Sequence, residues 1–260
     1  MLGTPLLANA QTAETASISV CADDKKALSC LQGDSVIQSL YGVGQGRTAL
    51  GFEINDKLTV NAVLGKLIQE DATTNALFIL EEITPAPDNE NNRAQCHACV
   101  PRMAIAVFNW TNDEWKLLSH AKALDGLGAW GALQVDDFTV HVAGSQQYLL
   151  EIRSAYLNQG ITETSSGFYA SFDENGKPSP SLRALGNVIT SISSCGSVFS
   201  ESAQESSQLI VFFKPQQFPE LILYRTQAGC EAPFTMKTLA PQVFLVDKKA
   251  NVYRPVSQKK

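Results

Sequence analysis

The sequence predicts a mainly β protein, an antiparallel β-sandwich or open β-meander with two or three helices near the N-terminus, stapled by disulfides. Three observations carry this expectation. From Ala76 onward the chain runs in short segments rich in Phe, Ile, Val, Tyr and Trp, punctuated by Gly, Asn, Asp and Pro, as strands joined by turns do. Apolar residues at helical spacing fall before residue 70. Six cysteines, Cys21, Cys30, Cys96, Cys99, Cys195 and Cys230, make an even set. With 44% hydrophobic and 18% charged residues, the 260-residue chain has the composition of a folded protein rather than a disordered one.

Residues 1–10 end in Ala8-Asn9-Ala10, the small-x-small pattern that follows the apolar run of an export leader, and they read as a signal-peptide remnant. Residues 11–22 then form a polar N-terminal tail. Residues 23–260 read as a single mainly-β domain, with a possible subdivision near 195–207, where the chain turns serine-rich. Two short helical patterns open the domain, one in "KKALSCLQ" and one in "DSVIQSLY". In the second, Asp34 or Ser35 can cap a face of Val36, Ile37, Leu40 and Tyr41. The strongest helical spacing is in "LTVNAVLGKLIQE", where Val60, Val63, Leu64, Leu67 and Ile68 fall at i, i+3, i+4, i+7 and i+8 with Thr59 as cap.

Strands follow in "ALFILEEI", in the hairpin "MAIAVFNW-TND-EWKLL", in "FTVHVAG" and "QYLLEIRSAYL", and in "GFYASF" leading into "DENG". "QLIVFF", "ELILYRT" and "QVFLV-DKKAN-VYRPV" complete the set. "DENGK" resembles the start of a calcium loop but lacks its closing acid, so Asn175-Gly176 reads as a hairpin turn. Proximity pairs Cys21 with Cys30, Cys96 with Cys99 and Cys195 with Cys230. The last would close a loop of about 36 residues, which chain entropy makes worth roughly 3 to 4 kcal/mol.

The net charge of −6 and pI near 5.1 argue against nucleic acid and anionic membrane surfaces, which require clustered Lys and Arg. No stretch approaches the roughly 18 apolar residues of a membrane span. Paired cysteines and the leader remnant together point to the periplasm or the extracellular space.

"AQCHACVPR" is the sharpest chemical motif. Cys96 and Cys99 have the C-x2-C spacing of a zinc knuckle, yet no second ligand pair exists to complete four. Haem attachment needs the histidine after the second cysteine, and here His97 lies between the two. A thioredoxin-like motif needs a helix N-terminus, whereas Val100-Pro101-Arg102 leads into a strand. A local disulfide is the plain reading; a redox or soft-metal site of Cys96, His97 and Cys99, with Met103 as a further soft ligand, is the alternative. "SHAK" matches the S-x-x-K of penicillin-recognising enzymes, but Ser119 ends a strand rather than opening a helix. "YGVGQGRT" satisfies no phosphate-loop pattern and reads as a connector.

No catalytic constellation and no cofactor motif emerge. The expected function is non-enzymatic: an exported protein that binds an unknown protein or glycan partner through loop surfaces. Trp130, set among glycines in "LDGLGAWGALQ", and Asn158, Gln159 and Thr162 of "NQGITETSSG" are the candidate contacts. Trp130 in a core with glycines making room is the plainer reading. The redox or metal protein is one alternative. The other is a hydrolase assembled from loops, for which Ser119 with His120, or Asp136 and Asp137, are the candidates.

Overall fold

A computed structural model of the chain describes residues 18–22, 30–70, 73–86, 89–93, 102–125, 128–129, 132–133, 137–144, 147–158, 161–195, 203–213, 218–230 and 236–256. The molecule is mainly β. Strand β1 (Ser19–Cys21) lies in what composition alone assigns to the polar tail, and it pairs with β2 (Cys30–Gln32). Cys21 and Cys30 face each other across this pair and form a disulfide, as their proximity in sequence led us to expect.

The helix α1 (Gly33–Tyr41) follows, the one helix among the described residues. It buries Val36, Ile37 and Leu40, the expected face. Asp34 sits inside the first turn rather than capping it, where a negative charge complements the macrodipole, and it pairs with Arg47 at 2.5 Å. The helical pattern of "KKALSCLQ" ends in strand β2, and 23–29 lie outside the described residues. No described helix is long and apolar enough to cross a membrane.

Strands β3 (Gly46–Arg47) and β4 (Phe52–Asn55) lead to β5 (Leu58–Glu70), and here the expectation fails: the segment with the best helical spacing is a 13-residue strand. The cause is a bulge. Ala62 pairs with Leu80 and Leu64 with Ile79, so Val63 is one residue too many and side-chain alternation reverses there. Leu58, Val60, Ala62 and Leu67 therefore face one core, and Val63, Leu64 and Ile68 the other. A strand buried on both faces and interrupted by a bulge mimics a 3.6-residue period. Gly65 lies where a Cβ would come within 2.8 Å of Ile18 and 2.9 Å of Val20, so its bare backbone lets β1 pack onto the strand.

Strand β6 (Thr73–Ile83) is buried from Asn75 to Ile83, and β9 (Arg102–Thr111) from Met103 to Phe108. Between them β7 (Pro85–Ala86) and β8 (Asn89–Arg93) form a short pair. Strand β9 turns into β10 (Glu114–Asp125) through Asn112 and Asp113, both at positive φ, the two-residue turn that matches strand twist. After the pair β11 (Gly128–Ala129) and β12 (Ala132–Leu133) come β13 (Asp137–Gly144), β14 (Gln147–Asn158), β15 (Ile161–Phe172) and β16 (Pro178–Ser193). Strands β17 (Ala203–Phe212), β18 (Glu220–Gly229), β19 (Met236–Thr238), β20 (Gln242–Asp247) and β21 (Val252–Pro255) complete the chain.

Fifteen strands form one mixed sheet. Strands β3 to β6, β9 and β10 run antiparallel; β10 meets β16 in a parallel contact of one register pair, His120 with Ser181. Three cores stack along the molecule. One lies between α1 with the β1–β2 pair and one face of β5, β6 and β9. The second lies between the opposite face of those strands and β13 to β15, where the buried Asn75 amide donates to the Tyr148 hydroxyl at 2.6 Å. The third lies between the other face of β14 to β16 and β18, β20 and β21. Cys195, just beyond β16, and Cys230, just beyond β18, form the expected second disulfide.

Candidate functional site

The third core does not fill the whole space between β14–β16 and the last strands. Phe168, Phe172, Leu185 and Val188 meet Phe218, Leu221 and Leu223 in its lower half. Further along, polar side chains replace these, because each strand changes composition along its length: "YLL" gives way to "EIR" in β14, and "SSQ" precedes "LIVF" in β17. Facing polar groups cannot exclude water as facing phenylalanines do, and a cleft of about 500 Å³ stands open there.

Its floor is β13 to β16, supplying Thr139, His141, Glu151, Arg153, Thr164 and Thr190. Its far side is β17, with Ser206, Ser207 and Gln208. Glu151 is the centre. Its side chain is 8% exposed, and His141 Nε2 stands 2.8 Å from Oε2. The Ser166 hydroxyl donates to Oε1 at 2.8 Å. Burial works against ionisation of Glu151, but the hydrogen bonds from His141 and Ser166 and the charges of His141 and Arg153 outweigh it and hold the carboxyl below the usual range.

The order of these contacts decides what the group can do. In a hydrolytic triad the imidazole takes the serine proton and the carboxylate stands behind the imidazole. Here the carboxylate stands between, so the Ser166 hydroxyl donates its hydrogen bond to Glu151 and has no imidazole to take its proton. Both carboxylate oxygens keep one further lone pair for an incoming donor. Around them, Thr190 donates to the Thr164 carbonyl at 3.2 Å and Ser191 to the Glu205 carbonyl at 2.9 Å, which leaves their oxygens as oriented acceptors. Arg225 reaches Glu205 at 3.3 Å on the same side of the sheet.

The residues singled out from sequence are scattered. Thr162 is exposed on β15, on the same face as Thr164 and two positions nearer the strand end. Asn158 ends β14 opposite Ile161. Trp130, Gln159 and Asp136 lie outside the described residues, as do Cys96, His97 and Cys99. Met103 is fully buried in the second core. Ser119 is buried with its hydroxyl unpartnered, and His120, the next residue of β10, faces the opposite side of the strand, so the two form no pair. Asp137 opens β13 opposite Arg153. No three of His, Cys, Asp and Glu gather to hold a metal ion among the described residues.

Sequence reasoning missed His141, Glu151 and Ser166, and also Glu81 and Glu82. The last two are buried at the end of β6: Glu81 accepts the Leu133 amide at 2.7 Å, and Glu82 the Ala123 amide at 2.9 Å and the Tyr41 hydroxyl at 2.5 Å. The readable signal for the cleft was an acid within an apolar strand, "YLLEIR", which must be buried and partnered. Compared with known proteins, the chain matches no family model, no curated protein and no solved structure.

Proposed function

We propose that the protein is a non-enzymatic binding protein, exported to the periplasm or the cell exterior, that recognises a neutral glycan in the cleft centred on Glu151. The stacked cores favour a sandwich-like layering over an open meander, and the cleft is the unfilled part of one layer boundary. A single observation carries the choice of ligand: Ser or Thr stands at six of the lining positions, Thr139, Thr164, Thr190, Ser191, Ser206 and Ser207, together with one carboxylate, and the strands turn part of these hydroxyls toward the space. Sugar hydroxyls are donor and acceptor at once, and such a lining offers both. A carboxylate with a spare lone pair on each oxygen suits two adjacent sugar hydroxyls. The volume is within the range of small-ligand sites.

A protein partner is the weaker reading, since the centre of a protein interface is apolar and aromatic, whereas Leu209 is the one apolar side chain of this lining. The exposed Thr162, two positions from Thr164 on the same face of β15, extends the glycan reading to a longer chain, with the cleft holding one or two units. Two disulfides support an oxidising compartment.

The test is an array of neutral, acidic and amino glycans probed with the full chain and with Glu151→Gln. The reading predicts retention on a subset of neutral glycans, weakened at least tenfold by the substitution. Binding that is absent, or equal in both proteins, would overturn it.

A further inference from the structure

A second cleft, of about 390 Å³, lies on the far side of β15, where the two halves of the sheet part company. The parallel contact of β10 and β16 lasts for one register pair, and beyond it both strands bulge. In β10 two residues, Lys122 and Ala123, stand opposite one of β9, and Ala123 takes φ +58°. In β16, Leu185 and Gly186 stand opposite Phe168 of β15, and Gly186 takes φ +79°. A bulge bends its strand and interrupts its ladder, and the β10–β16 pairing does not continue past it. The opening that results is closed at its end by the turn before β21, with Asn251 and Val252.

The bulges are held in place. A left-handed alanine is disfavoured by roughly 1 to 2 kcal/mol, and Ala123 is fixed by donating its amide to Glu82. Glu82 is in turn held by the Tyr41 hydroxyl and by Arg102 at 3.6 Å. Gly186 suits its left-handed φ, and a Cβ there would crowd Val252 at 3.2 Å.

The lining has a definite chemistry. Asp125 is exposed and has no cation paired with it among the described residues. Tyr169, 3% exposed, is part of the lining; burial first, then the charge of Asp125, pushes its hydroxyl up, so it stays neutral. Asn187 and Asn251 add amide oxygens, and Ala184 and Ala250 add methyl groups. The nearest cations are held by acceptors: Lys122 Nζ bonds to the Leu40 carbonyl at 3.0 Å, and Arg183 Nη1 donates to Glu174 at 2.9 Å and, at the cleft's edge, to Asn251 Oδ1 at 3.4 Å. One carboxylate, an aromatic ring, amide oxygens and alkyl walls, with no lining cation, match an ammonium group on a short apolar stem.

We propose that this cleft is a second binding site, independent of the first, that takes a primary ammonium on a short alkyl stem, the group carried by a lysine side chain or a small polyamine. The experiment is a titration of the full chain with butylamine, followed by backbone amide shifts, with butanol and butyrate as controls. The expected result is saturating shifts at Asp125, Asn187 and Asn251 with the amine alone, weakened at least tenfold in Asp125→Asn and lost in Ala184→Phe, which fills the space from an exposed position. Cadaverine against an N-acetyl-lysine methylamide then separates a polyamine ligand from a lysine side chain. Shifts shared with butanol, or unchanged in Asp125→Asn while that variant keeps the wild-type spectrum elsewhere, would overturn the proposal.

Discussion

The space between β14–β16 and the last strands has two halves, and different forces hold them. In the lower half Phe168 meets Tyr253 edge to face at 5.3 Å and Phe172 meets Phe218 at 5.7 Å, so apolar burial closes the gap. In the upper half Glu151, His141 and hydroxyls face Ser207, and packing supplies little. The Cys195–Cys230 disulfide joins the ends of β16 and β18 at this upper end. Packed and open space are thus divided along the same strands: one half is a core, and the other is a cleft braced by a covalent link.

The comparison can be broken first in the lower half. Phe168→Ala removes a fully buried ring directly opposite Glu151 and should cost about 3 to 5 kcal/mol in urea unfolding, whereas Ser166→Ala, two positions along the same strand, should cost about 1 to 3 kcal/mol. Equal costs would mean that the two halves are not distinct. Replacing both Cys195 and Cys230 by Ser should cost roughly 3 to 4 kcal/mol on the chain-entropy model. The cleft should feel it more than the core, so glycan affinity should fall at denaturant concentrations where the near-ultraviolet signal of the aromatic core persists.

The smallest effect is one of pH. The Glu151 carboxyl is held below its ordinary range in the folded chain, so it binds fewer protons folded than unfolded. Its contribution is therefore complete above an unfolded value of about 4.3 and is lost as pH falls through the lower folded value. Unfolding followed from pH 6 to pH 3 should show a stability loss for the wild type that is reduced in Glu151→Gln. Parallel curves would say that the carboxylate is not held by His141 and Ser166.

Most strands were legible because alternation, turn residues and aromatic content agree at each of them; Asn112-Asp113 and the Asp173–Gly176 turn stand where the sequence placed them. Strand β5 was not, since its bulge at Val63 reverses the alternation and leaves a helical period. The cleft was not legible either. His141, Glu151 and Ser166 come from three strands, and only pairing in register brings them together. What the sequence does carry is the change from polar to apolar along each of these strands, which becomes a cleft only when the polar ends align. The loop residues chosen for exposure and aromatic character have no such partner requirement, and nothing in their local spacing could separate a surface from a core.

The most direct test follows the backbone amides of labelled protein through a titration with the neutral glycan that the array retains best. The account predicts saturating shifts gathered at Thr139, Glu151, Thr164, Ser166 and Ser207, with those around Phe172 and Leu221 unmoved. Shifts gathered instead on the outer face of β17 and β18, where Ile210, Phe212 and Tyr224 are exposed, would contradict it and make that apolar face the recognition surface.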